Sequence, residues 1–114
     1  MNRGEIWIAV LEPRSGSEQS GRRPVVIVSH DSFNTAPTWT SIIVVPLSTS
    51  LNQARRSDTA IPIFKGEGGV PNDSVALCHQ VTTLDRSKLK TKIGTLSDSI
   101  LESIEDGLKA AMDM

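Results

Sequence analysis

A chain of 114 residues has room for one modest hydrophobic core, so a single domain over residues 1–114 is expected. The formal net charge of −1 argues against a general nucleic-acid-binding protein, which would usually be strongly basic. The apolar runs are far shorter than the roughly 20 residues of a membrane span. The single cysteine, Cys78, excludes an internal disulfide and makes a reducing cytoplasm the expected compartment.

Short β-branched and apolar segments separated by polar loops predict a mainly β domain. The predicted strands are residues 5–11, 24–29, 41–48, 59–64, 73–81 and 92–96. Segments with loop composition separate the first four strands: residues 14–22, 31–40 and 49–57. Five or six short strands followed by a C-terminal helix favour a small, strongly bent sheet or partial barrel.

The C-terminal helix is the most strongly indicated helix. Apolar residues recur at helical spacing from Ile100 to Leu108, with acidic residues on the opposite face. Ser99 opens a capping-box sequence, which indicates that the helix begins there. A shorter helical turn is predicted over residues 84–89, with Asp85 as its N-cap.

Proline positions give further expectations about the strands. Pro24 fixes its own φ and disfavours a helical conformation at Arg23, so the second strand is expected to begin abruptly at this point. Pro46 and Pro62 lack a backbone N–H, which predicts an edge strand or a bulge at each position.

Arg23 and Ser48 are the strongest candidates for a functional site that the residues themselves provide. Arg23 precedes a run that is expected to be buried on both faces, and Ser48 ends the third predicted strand. If these strands are antiparallel neighbours joined by the 31–40 loop, the guanidinium and the hydroxyl converge and can bind a phosphodiester. The alternative is a surface arginine that only solvates the start of a core strand.

Other possible constellations carry less weight. Ser29, His30 and Asp31 are consecutive, so on a strand they would point to opposite faces and could not act as a catalytic triad. His79, on the fifth predicted strand beside Cys78, is interpreted as a structural histidine, and Cys78 as a small buried hydrophobe.

No metal or other cofactor is expected. One cysteine and two histidines at unrelated positions do not make a recognisable zinc site. The glycine-rich segment 66–69 lacks the Lys-Ser/Thr sequence that completes a phosphate-binding loop, so it is interpreted as a turn.

Several short motifs stand in order along nearly the whole chain. They are Arg3-Gly4-Glu5-Ile6-Trp7, Gly16-Ser17-Glu18-Gln19, Arg23-Pro24-Val25-Val26-Ile27-Val28-Ser29, Asp73-Ser74-Val75, Gln80-Val81-Thr82-Thr83-Leu84-Asp85 and Ile93-Gly94-Thr95-Leu96-Ser97. Together they resemble the MazF/PemK family of toxin endoribonucleases. The Arg-Pro motif and the Gln-x-x-Thr-x-Asp segment are the most specific of them.

This resemblance implies a fold, an activity and partners. The implied fold is an SH3-like partial barrel of the PemK/CcdB type, assembled as a homodimer. The implied activity is that of a type II toxin, a metal-independent endoribonuclease that cleaves single-stranded mRNA and is inhibited by a cognate antitoxin. The implied chemistry is attack of the ribose 2′-hydroxyl on the adjacent phosphorus, which DNA cannot provide.

The resemblance also implies roles for individual residues. Arg23 matches the family's catalytic arginine, Ser48 matches a position where relatives commonly have threonine, and Gln80 matches a glutamine near the RNA path. The other residues assigned to RNA binding are Glu18, Gln19, Arg22, Arg55, Arg56 and Thr82. At the positions of His79 and Thr82 relatives often carry an acid and a basic residue, which leaves the recognised RNA sequence open.

Two other functions stay open beside the endoribonuclease. One is a non-catalytic relative that only binds an antitoxin or RNA, an alternative supported by the changed residues at positions 79 and 82. The other is a gyrase poison like CcdB, a toxin of the same fold class whose activity depends on a C-terminal tryptophan. This chain ends in Met112-Asp113-Met114, so the gyrase alternative is the weaker one.

Overall fold

A computed structural model describes residues 1–11, 21–50 and 58–114. The described strands are β1 (Glu5–Leu11), β2 (Gly21–Ile27), β3 (Ser41–Ser48), β4 (Ala60–Ile63), β5 (Ser74–Leu77), β6 (Thr82–Asp85) and β7 (Leu89–Thr95). The helices are α1 (Asp31–Asn34) and α2 (Asp98–Met112), with 3-10 turns at Glu67–Gly69, Cys78–Gln80 and Arg86–Lys88. The predicted class, mainly β with a C-terminal helix, is confirmed.

All the strand pairs of the bent sheet are antiparallel, in the order β4-β5-β3-β2-β1-β7, and β6 also pairs with β3. Strand β3 is therefore central, and the expectation that Pro46 marks an edge strand is wrong. Its residues 41–44 pair with β6, and Leu47 and Ser48 pair with β5. Pro46 lies between these two partners, where its missing N–H removes little from the ladder. The prediction of an edge at Pro62 is confirmed, since β4 ends the sheet order.

Two large hydrophobic cores form on the two faces of the sheet, and Ala60, Val75 and Leu77 of β4 and β5 form a third, smaller cluster. One large core contains Ala9, Leu11, Val25, Ile27, Ile42, Val44, Leu84 and Leu89. The other large core contains Ile6, Val26, Val45, Leu47, Ile63, Val70, Ala76, Cys78, Leu96 and Ile104. Because successive strand residues alternate between faces, β2 contributes to both cores, and the prediction of a strand buried on both faces is confirmed.

Several predicted boundaries differ from the structure. Strand β2 begins at Gly21, so Arg22 and Arg23 belong to it. Pro24 is accommodated inside β2 because pairing with β3 begins only at Val25. The 31–40 loop contains the short helix α1, whose N-cap His30 accepts a hydrogen bond from the Ser32 amide.

The C-terminal half shows similar differences. Strand β5 ends at Leu77, and residues 78–80 form a 3-10 turn instead of continuing the strand. Asp85 is an N-cap as predicted, but of a 3-10 turn that follows β6. Helix α2 is capped by Ser97, whose hydroxyl accepts from the Ile100 amide, and not by Ser99.

Helix α2 packs directly on the turn that follows β5. The buried Cys78 Sγ donates to the Ile104 carbonyl oxygen at 3.7 Å, and burial raises the pKa of the Cys78 thiol to about 11. A Cβ on Gly107 would lie 2.7 Å from this sulfur, so the helix approaches only because residue 107 has no side chain. The interpretation of Cys78 as a small buried hydrophobe is confirmed.

Candidate active site

The antiparallel pairing of β2 with β3 places the start of β2, which carries Arg23, beside the end of β3, which carries Ser48. Val25 lies opposite Pro46, and Val26 lies opposite Val45. The recorded pairs begin at Val25 and Pro46, so Arg23 and Ser48 each lie two residues beyond the paired stretch. Alternation along the two strands places Arg23 and Ser48 on the same face of the sheet. The predicted pairing of these two strands is therefore confirmed.

The two residues differ in exposure. The Arg23 side chain is exposed, and its backbone pairs with Ala9 of β1, which holds this part of β2 in place. Ser48 is 6% exposed, and its Oγ accepts a hydrogen bond from the Ser50 amide at 3.1 Å. An exposed guanidinium beside a fixed, nearly buried hydroxyl can hold a phosphate oxygen by charge and by hydrogen bonding.

The remaining predicted RNA-binding residues lie at varying distances from this pair. Arg22 is exposed but points to the opposite face of β2 from Arg23, because neighbouring strand residues alternate. Gln80 is half-buried in the turn that follows β5, and this turn contacts β3. Thr82 is half-buried opposite Val44, four residues along β3 from Ser48 and thus about 13 Å away.

Four of the predicted residues, Glu18, Gln19, Arg55 and Arg56, lie outside the described residues. In the sequence, Glu18 and Gln19 stand between β1 and β2, and Arg55 and Arg56 stand between β3 and β4. Arg23 and Ser48 belong to strands that flank these segments.

A family comparison decides what class of protein carries this site. The model of the family described as PemK-like, MazF-like toxin of type II toxin–antitoxin system matches residues 2–112. The chain belongs to this toxin family. The resemblance predicted from the sequence motifs is thereby confirmed.

Individual relatives are similar to this toxin over nearly its whole length. The endoribonuclease MazF of Staphylococcus saprophyticus is 36% identical over 115 aligned residues, which cover 100% of this chain and 92% of the relative. Among solved structures, toxin MazF-mt6 of Mycobacterium tuberculosis is 25% identical with a TM-score of 0.78, covering 96% of this chain and 97% of its own. A mycobacterial endoribonuclease, solved in complex with its cognate antitoxin, is 19% identical with a TM-score of 0.80, covering 100% and 96% of the two chains. The PemK-like fold class expected from the sequence is therefore confirmed.

The Arg3–Trp7 motif of the toxin has a structural role. The Arg3 amide donates to Asp31 Oδ1 at 2.6 Å, and the guanidinium donates to the Val28 carbonyl and pairs with Glu105. These contacts join the start of β1 to the end of β2 and to α2. The hydrogen bonds from the Arg3 amide and the Asn34 side chain lower the pKa of Asp31.

Glu5, in the same motif, is a buried carboxylate with two partners. Its Oε1 accepts from Trp7 Nε1 at 2.9 Å, and its Oε2 lies 3.3 Å from Lys92 Nζ on β7. Burial raises the pKa of Glu5, but hydrogen bonds from Trp7, Asn2 and Lys92 outweigh it, and the net pKa is lowered. The carboxylate thus stays charged and joins β1 to β7. Glu5 lies four residues along β1 from Ala9, the residue that pairs with Arg23.

The residues set aside in the sequence have partners of their own. Ser29 Oγ donates to Asn34 Oδ1, and His30 caps α1, so both side chains are engaged in holding the short helix after β2. His79 is exposed in the 3-10 turn, with Nδ1 3.4 Å from Thr59 Oγ1. Its predicted position on a strand is wrong, because the strand ends at Leu77.

Within the described residues, no group of three His, Cys, Asp or Glu side chains is arranged to hold a metal ion. None of the helices in the described parts of the chain is long and apolar enough to cross a membrane.

The sequence reasoning missed one arginine with an extensive structural role. The guanidinium of Arg86 donates to four backbone carbonyls of the loop between β2 and β3, at 2.8–3.3 Å. These carbonyls belong to Phe33, Asn34, Ala36 and Trp39. Its backbone amide also donates to the Thr40 carbonyl at 2.7 Å. Spacing could not reveal this contact, since the partners lie 47 to 53 residues away.

Proposed function

We propose that this toxin is a metal-independent endoribonuclease that cleaves single-stranded mRNA, with Arg23 and Ser48 as the residues that stabilise the reacting phosphate. The observation that carries the proposal is the antiparallel pairing of β2 with β3, which places the start of β2, with Arg23, beside the end of β3, with Ser48. The full-length similarity to an endoribonuclease MazF supports the same reaction. The proposed compartment is the cytoplasm, where mRNA is available.

The reaction needs few protein groups. The ribose 2′-oxygen forms a bond to phosphorus, and the bond from phosphorus to the 5′-oxygen of the next nucleotide breaks. The products are a 2′,3′-cyclic phosphate and a 5′-hydroxyl, and the proton of the 2′-hydroxyl passes finally to the leaving oxygen. Negative charge grows on the nonbridging oxygens, where the Arg23 guanidinium and the Ser48 hydroxyl act as preorganised donors.

The role of Arg23 is electrostatic in the first place. Arginine is suited to binding and stabilising a phosphate anion more than to accepting a proton. A planar, charged donor with two-point geometry suits a phosphate that gains charge during the reaction.

A comparison of RNA with DNA as substrates tests the proposal most directly. Purified toxin is expected to cut single-stranded RNA and to leave DNA of the same sequence intact, because DNA lacks the 2′-hydroxyl. Addition of EDTA is expected to leave the rate unchanged. The measurement is cleavage of matched fluorogenic oligonucleotides, with labelling of the new ends by polynucleotide kinase to identify the 5′-hydroxyl. Absence of cleavage across a library of RNA sequences would instead favour the non-catalytic relative.

A cognate antitoxin is the proposed inhibitor. One structural neighbour was solved with its own cognate antitoxin, which supports this expectation. An acidic, extended segment of the antitoxin is expected to compete with RNA, because both seek the cation at Arg23.

We also propose that the toxin assembles as a homodimer through an apolar cavity of about 390 Å³ between α2 and the sheet. Its lining residues are Val28, Ile43, Val81, Thr82, Thr83, Leu108 and Met112. Ile43 is 40% exposed and Met112 49% exposed, although both are large hydrophobic residues. A second copy that covers this face would bury them.

The assembly is tested by light scattering at micromolar concentration. The wild-type toxin is expected to have the mass of a dimer, and Ile43→Glu is expected to shift it towards a monomer because a charge would be buried in the interface. Lys90→Glu is the matched control, because Lys90 is an exposed residue of β7 outside the cavity lining. This variant should keep the mass of the wild type. A monomeric wild type would refute the assembly.

A further inference from the structure

The hydroxyl oxygen of Ser48 is held by a hydrogen bond that it accepts from the backbone. A serine hydroxyl carries one proton to donate and two lone pairs to accept. One lone pair of Ser48 Oγ is occupied by the Ser50 amide, whose nitrogen lies 3.1 Å away. The hydroxyl proton is consequently directed away from this amide. Ser48 is also nearly buried at the end of β3, with Val75 of β5 opposite it, so the position of its backbone is fixed as well.

This arrangement matters for a donor that must be ready before the reaction. A freely rotating hydroxyl loses rotational freedom when it donates to a phosphate, and this loss reduces the gain. A hydroxyl that already accepts a hydrogen bond has fewer orientations left to its proton, and the accepted bond also polarises it as a donor. Preorganised donors are worth most in the transition state, where charge develops on the oxygens.

We propose that the backbone amide of Ser50 is a positioning group for cleavage, which holds the Ser48 hydroxyl as a donor to the nonbridging phosphate oxygen beside Arg23. The inference rests on the proposed function of Ser48. It assigns the Ser50 main chain, and not its side chain, to the site. The amide itself does not contact the phosphate. Its effect passes entirely through Ser48.

A double-mutant cycle separates positioning from a structural effect. Ser50→Pro removes the amide N–H, and Ser50→Ala keeps it and serves as the reference for the lost side chain. In single-turnover cleavage at saturating RNA, Ser50→Pro is expected to be about 5- to 10-fold slower than Ser50→Ala, the usual effect of one hydrogen bond, with a nearly unchanged KM. In a Ser48→Ala background the two substitutions at residue 50 are expected to give equal rates.

Proline also restricts the backbone, so a second variant isolates the amide. Replacement of Ser50 by its α-hydroxy analogue exchanges the N–H for an ester oxygen and leaves the side chain in place. The ester variant is expected to be slowed as Ser50→Pro is, and again only when Ser48 is present. Circular dichroism of each variant checks the fold.

The outcomes distinguish this inference from the proposed function. If Ser48→Ala is slow but the ester variant cleaves at the wild-type rate, the positioning role is refuted and the role of Ser48 stands. If the ester slows cleavage equally with and without the Ser48 hydroxyl, the amide supports the loop and not the hydroxyl, which also overturns the inference. A wild-type rate for Ser48→Ala would refute both.

Discussion

Arg23→Ala is expected to lower the single-turnover rate of RNA cleavage by about 10²- to 10³-fold, the usual cost of removing one preorganised transition-state donor. The fold is expected to persist, because the Arg23 side chain is exposed while the strand itself is held by β1. The measurement is cleavage of a fluorogenic RNA by excess enzyme, with circular dichroism and urea unfolding of the same preparation.

Two further arginine variants define what the site requires. Arg23→Lys is expected to recover only part of the lost rate, since an ammonium keeps the charge but loses the planar two-point contact with phosphate. Arg22→Ala removes the same charge from the next residue, on the opposite face of β2. It is expected to weaken RNA binding slightly and to change the rate at saturating RNA far less than Arg23→Ala. Equal losses in the two alanine variants would show that net charge, and not the position of Arg23, supports cleavage.

The antiparallel pairing of the strands that carry Arg23 and Ser48 could be predicted from the sequence because it depends on local features. Two β-branched runs, separated by a short polar segment, tend to form adjacent antiparallel strands. Once β2 and β3 are neighbours, the start of one lies beside the end of the other. The register of β2 on β3, with Val25 opposite Pro46, needed the structure, because a slip of one residue would have moved Ser48 to the other face.

The errors arose where tertiary contacts override local preference. Residues 73–81 have strand composition throughout, but the chain turns at Cys78 because its sulfur packs under α2 at Gly107. Central pairing of Pro46 was unexpected because proline is normally excluded from central strands. Here two short strands, β5 and β6, share one edge of β3 and leave a gap between them at Pro46. Neither arrangement has a signal in the local sequence.

The contacts of Arg86 are the largest feature that sequence patterns did not indicate, and they lead to the second strong expectation. Arg86→Ala is expected to lower the free energy of unfolding by about 2–3 kcal/mol, since hydrogen bonds from a charged donor contribute about 1.5–3 kcal/mol each but water replaces part of them in an exposed loop. The carbonyls that lose their donor belong to residues 33, 34, 36 and 39. Urea unfolding measures the change.

The loop that Arg86 holds carries an exposed aromatic pair, which provides a local probe. The rings of Phe33 and Trp39 lie 4.7 Å apart, and the Trp39 indole N–H donates to the Ser41 carbonyl. In a Trp7→Phe background, Trp39 is the sole tryptophan, and its emission is expected to shift when Arg86→Ala releases the loop. Arg86→Lys is expected to keep only part of the stability, because one ammonium cannot span four carbonyls.

Lys88→Ala provides the matched control, since it removes the same charge from the same 3-10 turn. It is expected to cost less stability than Arg86→Ala and to leave the Trp39 emission unchanged.

Cleavage by folded Arg86→Ala is expected to stay within about twofold of wild type. The loop joins the ends of β2 and β3 that lie farthest from Arg23 and Ser48, about 13 Å or more along the strands. A large loss of cleavage without a loss of stability would show that the Arg86 loop acts on RNA directly. Equal destabilisation by Lys88→Ala would show that the charge, and not the four carbonyl contacts, stabilises this end of the sheet.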